Sequence, residues 1–145
     1  AMVERGDGAI VVTGNTSALR GIPGFVGCAP TKASQRILVE SLARDLGSKG
    51  VHVVYVIIDA AIDMPFARRR FGEGKPDDFF AQPADIAAEI YHFAHQPLST
   101  RTFLVQIRPF GEKWYGSACR GKSTLALLYQ EKALRQLYIL LSELT

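Results

Sequence analysis

Eight consecutive residues, Val51-His-Val-Val-Tyr-Val-Ile-Ile58, restrict this chain more than anything else in it. The run is apolar and largely β-branched, and stiff β-branched side chains suit a pleated strand better than a helix. It does not alternate, so a strand built from it has no face to give to water. Such a strand needs cover on both sides, the situation inside a parallel sheet with helices above and below.

The neighbouring segments supply that cover. Gly8-Ala-Ile-Val-Val-Thr13 reads as a shorter buried strand, and the glycines at 14, 21, 24 and 27 with Pro23 mark a loop after it. A helix is predicted over 30–46. Pro30 suits its first turn, Leu38, Leu42 and Leu46 share a face, and Gly47 and Gly50 stop it. Residues 59–80 look loop-like, with the basic cluster Arg68-Arg69-Arg70 and turn signals from Gly72 to Pro76. Pro83 and Asp85 open a second helix that runs to about 95, and Phe103-Leu-Val-Gln-Ile107 is a third strand. This order predicts an α/β fold: three parallel strands joined by right-handed crossover helices. A last segment, 123–144, carries Leu127, Leu134 and Leu141 seven apart, with Leu137 and Leu144, and predicts an amphipathic carboxyl-terminal helix. Its stripe packs on its own sheet or on a coiled-coil partner. The chain divides into 1–115 and a helical extension, 116–145.

Composition excludes several classes. At 145 residues, 48% hydrophobic and 21% charged, the chain suits one soluble globular core and not disorder. No run spans a bilayer and nothing at the amino end reads as a signal peptide, so a cytoplasmic protein without membrane partners is expected. Cys28 and Cys119 have neither disulfide nor zinc spacing. His92 and His95 lack a third ligand at a suggestive spacing, so no metal is expected. A net charge of +3 is too small to imply nucleic acid.

The stretch Val11-Val-Thr-Gly-Asn-Thr-Ser-Ala-Leu-Arg-Gly-Ile-Pro-Gly-Phe-Val-Gly-Cys-Ala-Pro-Thr-Lys32 resembles the active-site strand, loop and helix of the short-chain dehydrogenases/reductases. The similarity continues through residues 41–54 and the Pro83-Ala-Asp-Ile-Ala helix, and ends near Trp114. It implies the carboxyl-terminal half of a Rossmann-like domain, an NAD- or NADP-dependent oxidoreductase acting on a small molecule, and a homo-oligomer with the 30–46 helix in a subunit interface. In that family a tyrosine shuttles the substrate proton. A lysine one helical turn later lowers its pKa and holds the nicotinamide ribose, and a serine polarises the carbonyl.

Transferred residue by residue, Lys32 matches the lysine, Cys28 stands where the tyrosine belongs, and Asn15 takes the serine position, with Thr16 and Ser17 close by. Ile62 falls where the family lines its nicotinamide pocket. Asp59-Ala60 replaces the usual Pro-Gly, and Met64 the threonine that contacts the carboxamide. The family's Thr-Gly-x-x-x-Gly-x-Gly turn and its first four strands are expected upstream of these residues. Thr13-Gly14 imitates the start of that turn, but Ala18 and Arg20 occupy its later glycine positions. The first strand is then expected to keep an open edge, covered by another copy or by the terminal Leu-rich helix.

Gly116-Ser-Ala-Cys-Arg-Gly121-Lys122-Ser123 satisfies the phosphate-loop pattern, yet the residues before it make a poor strand. Cys28 reads as a reactive thiol near Lys32 or as a small residue filling a helix start. Arg68 to Arg70 read as an anion grip or as a solvated loop. Two classes therefore stand side by side. One is an NAD(P)-dependent oxidoreductase impaired in its chemistry, the other a non-catalytic interaction module or truncated gene product; nucleotide binding through 116–123 is a third reading.

Overall fold

The computed structural model describes residues 1–21 and 23–111. The predicted terminal helix, the 116–145 extension and the phosphate-loop-like segment 116–123 lie outside the described residues. The elements are α1 (Met2–Arg5), β1 (Gly8–Gly14), α2 (Cys28–Leu46), β2 (Val51–Ile58), β3 (Ala61–Ile62), α3 (Pro65–Phe71), β4 (Phe80–Ala81), α4 (Pro83–Ala94) and β5 (Leu104–Ile107).

β1, β2 and β5 form a parallel sheet in that order, with Gly8 opposite Val51 and Tyr55 opposite Leu104 at the starts of the two ladders. β2 is central, and its first seven residues are buried. Its side chains divide between two cores. Val51, Val53, Tyr55 and Ile57 face α2, where Val39, Leu42, Ala43 and Leu46 meet them, while Val54 and Val56 pack with Phe93 of α4. Each fully buried aliphatic side chain is worth roughly 1.5–3 kcal/mol. β1 pairs on one side only among the described residues, and Ile10, Val11 and Val12 stay half-buried.

Two expectations need correction. Leu38 is 60% exposed and Val39 takes its place in the core. A strict four-residue repeat turns about 40° per step around a 3.6-residue helix, so the buried stripe is Val39-Leu42-Ala43-Leu46, at i, i+3, i+4 and i+7. The crossovers are not both right-handed. The strand order advances one way while α2 and α4 cover opposite faces, so the two connections have opposite hands. Residues 59–82 intervene before α4, which removes the direct strand-to-helix feed on which that rule depends.

Residues 59–80 also hold more structure than their turn-rich sequence suggests. β3 and β4 pair in parallel, and α3 lies between them with Pro65 in its first turn. At the start of β2, Gly50 has φ 84° and an added Cβ would overlap the Gly6 carbonyl, so glycine is required there. No helix among the described residues is long and apolar enough to cross a membrane.

Candidate functional site

β1 ends at Gly14, whose Cα lies so close to the Tyr55 ring that a Cβ would collide with the phenol oxygen. Asn15 follows in extended conformation and caps a 3₁₀ turn over Thr16–Ala18. Its Oδ1 accepts from the Ser17 amide at 3.1 Å and from the Ser17 hydroxyl. With that oxygen engaged, the Asn15 amide offers only N–H donors to anything else. Ser17, 2% exposed, lies with Oγ 3.8 Å from Sγ of Cys28, the exposed first residue of α2. Asn15 and Cys28, named from the sequence, are thus joined through Ser17 into an amide–hydroxyl–thiol chain. A cleft of about 470 Å³ borders it, walled by Ser17, Leu19, Phe25, Ala29 and Arg36.

Lys32 stands one turn after Cys28 on the same helix, and its Nζ donates to Gln35 Oε1 at 3.1 Å. That oxygen also accepts from the Tyr55 hydroxyl at 3.3 Å, and the same hydroxyl lies 3.5 Å from the Lys32 carbonyl. Tyr55 is 0% exposed, and burial pushes its phenol above the ordinary value, against a smaller opposing effect of the Arg36 charge. A phenol that must release a proton near neutral pH needs the opposite shift. Ile62 is not part of this group. It sits in β3, in the separate two-stranded sheet, paired with Ala81.

At the end of β2, the Asp59 carboxylate accepts from Gln106 Nε2 at 2.8 Å and faces Arg108 at 3.7 Å, which ties β2 to the far end of β5. A second cleft, about 400 Å³, opens over these strand ends between Ile58, Phe80, Ile86 and Ile107. The basic cluster does not act as one unit. Arg68 is engaged by Asp63 and Asp77, whereas Arg69 and Arg70 are exposed. Among the described residues no group of three or more His, Cys, Asp or Glu could hold a metal.

Sequence reasoning missed Gln35 and Tyr55 and gave Ser17 only a secondary place. A faint signal existed for two of them: a buried tyrosine in a β-branched run needs a hydroxyl partner, and Asn-x-Ser favours a side-chain-capped turn.

No family model matches the chain. Solved structures do. A short-chain dehydrogenase from Rhodopseudomonas palustris is 35% identical and matches over 75% of this chain and 42% of its own, with a TM-score of 0.57. An alcohol dehydrogenase from the archaeon Thermococcus sibiricus, complexed with 5-hydroxy-NADP, is 23% identical over 77% of this chain and 46% of its own, at 0.60. A 7α-hydroxysteroid dehydrogenase complexed with NADH and 7-oxo glycochenodeoxycholic acid is 21% identical over 76% of this chain and 46% of its own, also at 0.60. The chain spans less than half the length of these structures.

Proposed function

We propose, from the premise that this chain has the fold of the carboxyl-terminal half of a short-chain dehydrogenase/reductase, that it keeps the scaffold of an NAD(P)-dependent oxidoreductase without performing hydride transfer through its own residues. Cys28 at the proton-donor position carries this reading. A cysteine side chain stops several bonds short of where a phenol would end. Tyr55 is no substitute, because its hydroxyl is buried against Gly14, Gln35 and the Lys32 carbonyl.

The resemblance points to NAD or NADP, yet the described residues that it assigns to the nicotinamide end are engaged elsewhere in this chain. The Lys32 ammonium, which the resemblance assigns to the ribose, bonds Gln35, and Ile62 belongs to the separate small sheet. Gly14 follows Thr13 as a phosphate-cradling turn would require, but its glycine serves the close approach of Tyr55. We therefore assign no step to NAD or NADP. Calorimetric titration with NADH and NADPH is expected to give no saturable heat at sub-millimolar concentration. A single protomer that consumes reduced nicotinamide with a carbonyl substrate, followed by absorbance, would overturn the proposal.

The other reading, a non-catalytic interaction module, draws on α2. Ile37 and Leu38, 51% and 60% exposed, form an apolar spot on its outer surface. We propose that the chain self-associates there, in a cytoplasmic setting.

A further inference from the structure

Beside the turn that Asn15 caps, the chain from Ser17 to Val26 and one flank of α2 bound the cleft of about 470 Å³. On the helix side, Ala29 and Ala33 stand one turn apart, and their methyl groups leave space that longer side chains would fill. The loop supplies the rest of the apolar wall with Leu19, Phe25 and Val26, which are 50%, 41% and 90% exposed. Large apolar side chains left in water around a hollow of this size match a small-molecule site better than a plain surface. None of Asn15, Cys28 and Lys32, the positions that the resemblance assigns to chemistry, lines it.

The charge in this cleft has one sign. Arg20 comes from the loop and Arg36 from the helix, and no Asp or Glu stands in the walls. Arg20 is exposed and forms no ion pair among the described residues. Arg36 is more deeply placed, its side chain 23% exposed, and meets Glu40 at 3.2 Å. Glu40 does not serve it alone, because its other oxygen accepts from Arg44 at 2.8 Å. The Arg36 Nε–H is buried without an acceptor. A half-buried guanidinium that shares its carboxylate and keeps an unmet N–H is under-satisfied, and the partner it lacks is an acceptor.

Apolar walls with a cation on each contributing element select a ligand with an apolar body and one anionic head. We propose that the cleft binds a small amphipathic carboxylate, its body against Leu19, Phe25, Ala29 and Ala33 and its charge held by Arg20 and Arg36. A guanidinium fork matches the two oxygens of a carboxylate. With Glu40 answering part of the Arg36 charge, the surplus suits a monoanion better than a dianionic phosphate. Such binding needs no hydride transfer, so its failure and that of the cofactor reading are separate.

Calorimetric titration of the full chain with octanoate, below its micelle concentration, and with octanol tests this. Octanoate is expected to saturate at sub-millimolar concentration, with octanol roughly ten-fold weaker or more. Arg20→Glu, at an exposed position, should weaken octanoate by roughly ten-fold or more and leave octanol within about two-fold. Ala33→Leu fills the cleft with a good helix former and should abolish binding of both, with circular dichroism unchanged. Octanol as tight as octanoate would overturn the charged site and leave apolar adsorption only. Octanoate affinity untouched by Arg20→Glu or by Ala33→Leu would put the binding elsewhere and overturn the proposal too, as would silence from octanoate.

Discussion

Gly14 and Tyr55 meet at the point where β1 gives way to the turn that Asn15 caps and Ser17 occupies. Because a Cβ at 14 would strike the phenol, Gly14→Ala should destabilise the chain by about 1–3 kcal/mol in urea unfolding. Tyr55→Phe removes one hydroxyl shared between Gln35 and the Lys32 carbonyl, and should cost about 0.5–1.5 kcal/mol. The two effects should not add: once the oxygen is gone, Gly14→Ala costs less, and a double-mutant cycle measures the difference. Additive values would mean that the clash lies with the ring carbons, which also fall within 3 Å of that Cβ and remain in phenylalanine. The same residues explain the limits of reading a site from sequence. Asn15, Cys28 and Lys32 are candidates only through their spacing within a resemblance. The contact of Ser17 with Cys28 and the meeting of the Tyr55 hydroxyl with Gln35 and the Lys32 carbonyl join separate segments of the chain, and no local pattern announces them.

Residues 59–80 show the same limit one level up. β2, α2 and α4 were legible because an uninterrupted β-branched run and helical apolar spacings are local signals of long elements. Residues 59–80 carry glycine, proline and mixed charge, which announce turns. The order they possess comes from Arg68 reaching residues on both sides of its own helix. That order has a defined dependence on pH. Hydrogen bonds from Arg68, then from Gln82, hold the Asp63 carboxyl down from 3.8 to about 2. A carboxylate depressed on folding stabilises the structure above its unfolded value and loses that contribution as pH falls through its folded value. Amides of residues 61–82, corrected for intrinsic exchange, should therefore keep full protection from neutral pH to about 4 and lose it towards about 2. Asp63→Asn should abolish this acid transition. Its persistence in that variant would assign it to another group, with Asp77 the nearest.

Across the whole molecule, the exposed pair on α2 is the surface on which the proposed self-association is tested. Ile37→Glu together with Leu38→Glu leaves the Val39-Leu42-Ala43-Leu46 stripe untouched, so circular dichroism should be unchanged while sedimentation shifts towards monomer. A wild-type chain that sediments as a monomer at all concentrations removes this surface as a self-association site. The opposite-handed crossovers bear on a different property. They place one helix above and one below a single strand, like two hands pressing the same page. Peel either away and half of the Val51–Ile58 side chains meet water, weakening the grip of the remaining helix as well. A centre wedged from both directions has no partial solution, so sheet and helices should melt in one cooperative event.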